Sequence, residues 1–295
     1  MPLSGCRINH YSWGFAIFVY HGVQKLNESE GNSDDRVSTN LDWSFQILGS
    51  RTQWFWIYGD WNHMKNLRAA LLCFTAALGS PLWAQENPVV VELYTSQGCS
   101  SCPAADALLH ELADREDVIA LALHVDYWDY IGWKDPFGDP AHAERQRAYA
   151  AAGDRRSIYT PEMVVNGETD IVGAKPMKLS EAIAAHARAP RRVALDLARS
   201  GGKLTVNARA VSDVQGPFTV HMLRYTPEKT TEIKRGENRG HTYSYANIVE
   251  GWTVLGSWDG AGPLDMQTDI AGTLPVVVII QEQNAGPIVA AARLR

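Results

Sequence analysis

The sequence predicts an α/β domain followed by a β-sandwich-like domain. Two patterns favour this fold class: apolar strands alternate with helices over residues 85–190, and short strands separated by Gly and Pro turns follow over residues 191–295. The composition is that of a globular protein, with 20% charged and 45% hydrophobic residues in a chain of 295. A net charge of −6 argues against a nucleic-acid partner held by a general basic surface.

Residues 64–84 have the three-part layout of a secretory signal peptide. Lys65 and Arg68 form a basic start, an apolar run follows, and Ala84 is a small residue at the cleavage position. A transmembrane anchor is the alternative, but the apolar stretch is shorter than the ~20 residues that span a bilayer. We therefore expect a periplasmic or secreted protein with no membrane span after signal cleavage.

The segment before the signal peptide, residues 1–63, has no sustained strand or helix period. We expect it to be translated upstream sequence, with Met64 as the true start. A disordered N-terminal extension is the alternative.

The elements of the α/β domain follow from short-range patterns. β-Branched apolar runs predict buried strands, proline suits the first turn of a helix, and an Asn-Gly pair between two strands predicts a hairpin. In order, we expect a strand over 88–95, a helix over 99–115, a strand over 118–125, a helix over 141–152, strands over 161–165 and 168–172, and a helix over 178–188.

After Pro190 the sequence pattern predicts strands and no clear helix. Gly201-Gly202 and Gly216-Pro217 separate alternating apolar and polar stretches. The predicted strands lie over 193–197, 203–210, 218–225, 252–257 and 275–281.

The pair Cys99 and Cys102 lies at the predicted junction between the first strand and the first helix. A helix N-terminus stabilises a thiolate, and a two-residue spacing lets the second thiol resolve a mixed disulfide. Two alternatives stay open: an inert structural disulfide, or part of a metal site completed by a histidine such as His124.

Other features bear on this pair. Thr160-Pro161 opens the third strand, where proline favours a cis bond or is an ordinary strand-starting residue. The aromatic loop 126–139 either frames a substrate groove or packs between domains. We expect residues 235–240 to form a polar turn, with a binding role as the alternative. The sequence has no phosphate-cradling loop, nucleophile elbow or HExxH motif.

The segments VELYTSQGCSSCPAAD and YTPEMVVNGE together resemble the thioredoxin fold. With HVDYWDYIGWKDPF and RGENRGHTYSYANIV they also resemble the secreted thioredoxin-like family catalogued as domain of unknown function 1223. This resemblance covers residues 88–295 and implies a thioredoxin-like fold for the α/β domain.

The resemblance implies a role for each matching residue. Cys99 resembles the attacking thiol, Cys102 the resolving thiol, and Thr160 and Pro161 the cis-proline loop. Glu92 lies near the position of a buried acid that accepts the resolving thiol's proton, or is a glutamate at the strand surface. The chain departs from thioredoxins by having Gly98 before the first cysteine and Ser-Ser between the two.

The favoured function is thiol–disulfide exchange through Cys99 and Cys102, with protein thiols or disulfides as partners and no cofactor or bound metal. One alternative is a non-enzymatic binding module stapled by a structural Cys99–Cys102 disulfide. The other is a periplasmic copper- or zinc-handling protein.

Overall fold

The computed structural model describes residues 88–295, which belong to one compact unit. The predicted signal peptide at 64–84 and the segment 1–63 lie outside the described residues. Between residues 88 and 295, no helix has the length and apolar character needed to cross a membrane.

Strands and helices alternate in the first half of the described chain, as predicted. The strands are β1 (Val89–Thr95), β2 (Val118–His124), β3 (Glu162–Val165) and β4 (Thr169–Val172). The helices are α1 (Pro103–Ala113), α2 (Pro140–Ala152) and α3 (Pro176–Ala187). The first helix starts four residues later than predicted because Cys102 is its N-cap and Pro103 its first helical residue.

The second half consists of strands. They are β5 (Val193–Ser200), β6 (Lys203–Ala210), β7 (Phe218–Glu232), β8 (Thr242–Trp258), β9 (Leu264–Asp269), β10 (Val276–Glu282) and β11 (Ile288–Leu294). Two of them, β7 and β8, are long antiparallel partners with irregular register near Val220 and Arg224.

Eight strands form one mixed sheet in the order β11-β10-β7-β8-β2-β1-β3-β4. The pairs β1/β2 and β2/β8 are parallel, and the other neighbours are antiparallel. The pairing of Ala122 with Ile248 joins β2 to β8, so the sheet continues across the boundary predicted after residue 190. The division into residues 85–190 and 191–295 stays a prediction.

The two faces of β1 carry different cores. Val91 and Leu93 pack with Leu109 of α1 on one face, whereas Val90 and Tyr94 belong to the core beneath α2 on the other. Because side chains alternate along a strand, neighbouring positions of β1 serve opposite sides of the sheet. This explains why the entire strand is buried.

A second, small sheet has the order β5-β6-β9. Along β6 the alternate residues Leu204 and Val206 are buried and pack against Val220, Val278 and Ile280 of the large sheet. The α/β architecture is therefore confirmed, and the second sheet covers part of the large one instead of forming a separate pair of layers.

Candidate functional site

The cysteine pair lies where β1 ends and α1 begins. Cys99 and Cys102 form a disulfide with a Cα–Cα distance of 5.4 Å. Cys102 is the N-cap of α1, and its carbonyl accepts hydrogen bonds from the N–H groups of Ala105 (2.8 Å) and Asp106 (3.1 Å). Of the CSSC segment only the two serines are exposed, while Cys99 is 2% and Cys102 0% exposed.

Side chains from two distant segments hold the turn that precedes Cys99. Asp135 Oδ2 accepts from the backbone N–H of Gln97 at 2.8 Å, and Trp133 Nε1 donates to Gln97 Oε1 at 2.9 Å. Asn238 Nδ2 donates to the carbonyls of Gln97 (2.9 Å) and Cys99 (3.0 Å). The aromatic loop 126–139 and the polar turn 235–240 thus fix the backbone of the cysteine turn.

The Thr160–Pro161 peptide is cis, which is one of the two alternatives that the sequence leaves open for this proline. The register of β1 with β3 pairs Tyr94 with Glu162, so the start of β3 adjoins the end of β1. Trp128 connects the two loops, because its Nε1 donates to Thr160 Oγ1 at 2.6 Å. Its Cβ also lies 3.1 Å from the position that a Cβ on Gly98 would take. Thr160, Pro161 and the cysteines therefore share one edge of the sheet.

An exposed aromatic surface borders this edge. Tyr130 is 79% exposed and stacks on the partly buried Trp128, with ring centroids 6.2 Å apart and planes 20° apart. The aromatic loop therefore hydrogen-bonds to the cysteine turn on its buried side and exposes the ring of Tyr130 to solvent on the other.

A buried polar cluster lies beneath the start of α1. His124 and Asp135 are both fully buried, and His124 Nδ1 donates to Asp135 Oδ2 at 2.8 Å. Burial acts to raise the pKa of Asp135, but His124 and the backbone N–H groups of Gln97 and Phe137 outweigh it and lower that pKa. The carboxylate therefore stays ionised inside the protein.

Asp106 belongs to the same cluster and behaves differently. Burial raises its pKa to about 7, although nearby His124 acts to lower it. Among the described residues, Asp106 Oδ1, Thr95 Oγ1 and His124 Nε2 are buried without a hydrogen-bond partner. Asp106 follows Cys102 by four residues, and such a spacing places two side chains on one helix face. A carboxyl that gains and loses a proton near neutral pH thus lies one turn from Cys102.

Glu92 is buried, but it lies on the other face of the sheet. Its carboxylate accepts from Arg145 Nε (2.7 Å) and Nη2 (3.1 Å) and from the Tyr149 hydroxyl (2.6 Å), both on α2. The structure does not bring Glu92 together with the cysteines. Side chains alternate along β1, so Glu92 faces α2 together with Val90 and Tyr94, whereas Leu93 faces α1.

Two residues of this site, Asp106 and Asn238, were not among the predicted site residues. Asp106 carries a signal, since it is an acid on the helix face that also buries Ala105, Leu109 and Leu112. Asn238 lies in the predicted polar turn 235–240, but its contacts with the cysteine turn span about 140 positions of the chain and could not be read from that motif.

Fold and site together define a class: an α/β protein with a disulfide-bonded Cys-x-x-Cys pair at the N-terminus of a helix, above a buried carboxyl. The chain belongs to the family described as protein of unknown function (DUF1223), whose model matches residues 90–281. This confirms the family that the motifs resemble.

Two solved structures are similar to this one. A crystal structure of a protein from Agrobacterium tumefaciens is 32% identical, with a TM-score of 0.63, and the match covers 72% of this chain and 96% of that one. HBP35 of Porphyromonas gingivalis is 15% identical, with a TM-score of 0.50, over 71% of this chain and 75% of that one, and shows likeness of fold alone. Among curated proteins nothing matches the chain.

Proposed function

We propose that the protein is an exported thioredoxin-like thiol–disulfide oxidoreductase that acts through Cys99 and Cys102. One observation carries the proposal: the disulfide lies at the N-terminus of α1, one turn from a buried carboxyl with a pKa of about 7. The element order around it, and the Thr160–Pro161 loop at the same sheet edge, support the thioredoxin-like assignment. Its partners are protein thiols or disulfides.

The reaction divides into two exchanges. In the reduced protein, the Cys99 thiolate attacks one sulfur of a partner disulfide, forms a mixed disulfide and releases the other partner sulfur as a thiolate. Cys102 then loses its proton to the Asp106 carboxylate and attacks Cys99 Sγ, which restores the Cys99–Cys102 disulfide and releases the second partner thiolate. The reverse sequence oxidises a dithiol.

The N-terminus of α1 supports the first exchange. The free N–H groups and the helix dipole favour negative charge there, which lowers the pKa of a thiol below its usual ~8.5. Asp106 supports the second, because a general base works best when its pKa is near the ambient pH. Disulfides persist outside the cytosol, so a periplasmic or secreted location is part of the proposal.

The burial of Cys99 favours a second candidate, a binding module in which the disulfide is a structural staple. Only 2% of Cys99 is exposed, and Asn238 and Asp135 hold the surrounding turn. The copper- or zinc-handling alternative has no such observation, since residues 88–295 contain no group of three or more His, Cys, Asp or Glu arranged around a metal position.

Mixed-disulfide formation with glutathione disulfide distinguishes these candidates. After reduction and removal of the reductant, Cys102→Ser should retain one glutathione on Cys99, as located by peptide mass because the chain also contains Cys6 and Cys73. Cys99→Ser is the matched control and should retain none on Cys102, and the wild type should return to its Cys99–Cys102 disulfide. Equal labelling of both variants, or of neither, would favour the staple.

The role of Asp106 is tested by the closure step. In Asp106→Asn, release of glutathione from the mixed disulfide should slow by about 100-fold at pH 7, the lower range for a lost general base. In addition, the pH dependence of closure near pH 7 should disappear. A slower rate with an unchanged pH profile would make Asp106 a structural residue.

A further inference from the structure

A cavity of about 330 Å³ lies on the face of the large sheet opposite α1 and the disulfide. Helix α2 forms one wall, and strands β7, β8 and β10 form the other. Its volume is at the lower end of the range for small-molecule sites. The cavity is therefore separate from the cysteine site and large enough for a compact organic molecule.

The walls are mainly apolar. Ala141, Ala148 and Ala285 line the cavity, and the indole of Trp252 forms a flat side. The guanidinium of Arg145 lies over that indole, 4.0 Å from the ring centroid. The alanines, with the part of the indole that Arg145 leaves uncovered, favour an apolar body as occupant.

His221 lines the cavity and has one hydrogen-bond donor in its neutral form. Its Nδ1 accepts from Trp252 Nε1 at 3.0 Å, which leaves the proton of a neutral ring on Nε2. Burial, together with the charge of Arg145, lowers the pKa of His221 to about 4. The imidazole is therefore neutral at physiological pH, with one fixed donor and no charge.

Arg145 supplies a second hydrogen-bond donor, and its charge is balanced by the paired Glu92. Its bonds to Glu92, Tyr149 and Gln281 use Nε and Nη2. Among the described residues, Nη1 has no hydrogen-bond partner, and Arg145 lines the cavity. Because the fully buried Glu92 carboxylate balances the guanidinium and Glu282 also lines the cavity, the cavity has no excess of positive charge.

We propose that this cavity binds an uncharged small molecule with a flat apolar body and one carbonyl oxygen. The oxygen accepts from His221 Nε2, with Arg145 Nη1 as the second donor, and the body lies against Trp252. A carboxylate fits less well because Glu92 already pairs with the arginine. This site does not depend on the proposed thiol chemistry.

Three probes of similar size test the proposal by ligand-observed NMR titration on the purified full chain. Acetophenone has the carbonyl, cumene has the same shape without the oxygen, and benzoate carries a charge. Acetophenone should bind about tenfold more tightly than the other two, the value of one well-placed hydrogen bond. Equal binding of cumene, tighter binding of benzoate, or no binding of acetophenone would overturn the proposal.

Variants locate the binding. Ala148→Leu, on the exposed side of α2, should fill the cavity and abolish binding of acetophenone, while Ala151→Leu on the same helix is the matched control outside the lining and should bind normally. His221→Phe should remove the preference for acetophenone over cumene. An undiminished affinity in Ala148→Leu would place the probe elsewhere and refute the assignment.

Discussion

Replacing Asp106 by Asn should stabilise the protein at alkaline pH. In the folded protein, burial raises the pKa of Asp106 from 3.8 to about 7, so the folded state holds a proton that the unfolded chain releases. Below about pH 4 the carboxyl is protonated in both states and costs nothing. As the pH rises from about 4 to about 7, the unfolded state is favoured increasingly by ionisation, and wild-type stability falls.

The magnitude follows from the difference in pKa. The pKa of Asp106 rises by about three, and each tenfold change in proton affinity is worth about 1.4 kcal/mol. Above pH 7 the wild type has therefore lost about 4 kcal/mol of its free energy of unfolding. The fully buried side chain leaves little room for solvent screening. Asparagine has nearly the same shape and does not ionise, so Asp106→Asn avoids this loss.

Urea unfolding of the oxidised wild type and variant, at intervals between pH 4 and pH 8, measures the effect. The two free energies of unfolding should nearly coincide at pH 4, and the variant should be more stable by about 4 kcal/mol at pH 8. A gap that does not change with pH, or a variant that loses stability as the pH rises, would refute the buried, proton-holding Asp106.

Three further predictions use urea unfolding as the readout. Asn238→Ala should lower the free energy of unfolding by about 2 to 3 kcal/mol, because it leaves two carbonyls of the cysteine turn without their donor. It should also speed the reduction of the Cys99–Cys102 disulfide by dithiothreitol, and an unchanged reduction rate would contradict this. Glu92→Gln should lower the free energy of unfolding by about 3 kcal/mol, because it leaves Arg145 buried without its counter-ion. It should not change the pH dependence of the reaction of Cys99; a shifted pH dependence would mean that Glu92 acts on the cysteines. Gly167→Ala should lower the free energy of unfolding by about 3 kcal/mol, since φ is +73° and the new Cβ would lie 2.7 Å from a carbonyl oxygen. Gly173→Ala, with φ +74° and open space around the new Cβ, should cost about 1 kcal/mol. Equal losses would contradict the close approach at Gly167.

Local patterns were sufficient for the first half of the fold. The apolar run of β1, Pro103 at the start of α1 and the Asn166-Gly167 turn predicted elements within a few residues of their observed bounds. The place of Pro161 ahead of an apolar strand indicated a cis bond as one of two alternatives, and the bond is cis. Each of these signals depends on neighbours in sequence, which is why they can be recognised without the fold.

The joining of the two halves was not predictable in this way. Strand β8 reaches β2 through Ala122 and Ile248, and Asn247 donates to the Ala120 carbonyl at 2.9 Å. Such pairings depend on which edge of the sheet is free, a property of the assembled structure. The short strands β9 and β11 were missed, although both complete sheets.

The candidate site was predicted in part. The cysteines, Thr160 and Pro161 lie at one sheet edge, whereas Glu92 faces α2. A register difference of one residue in a strand reverses the side of the sheet, so a spacing taken from a resemblance cannot fix such a role.

The reduction potential of the Cys99–Cys102 pair tests the proposed exchange chemistry most directly. The protein is equilibrated in dithiothreitol redox buffers at pH 7, free thiols are alkylated, and the oxidised fraction is measured by mass. A redox-active pair should have a potential more positive than about −300 mV, with Cys99 reacting first. A potential below about −300 mV, with both thiols inert, would identify the disulfide as a structural staple and contradict the proposed function.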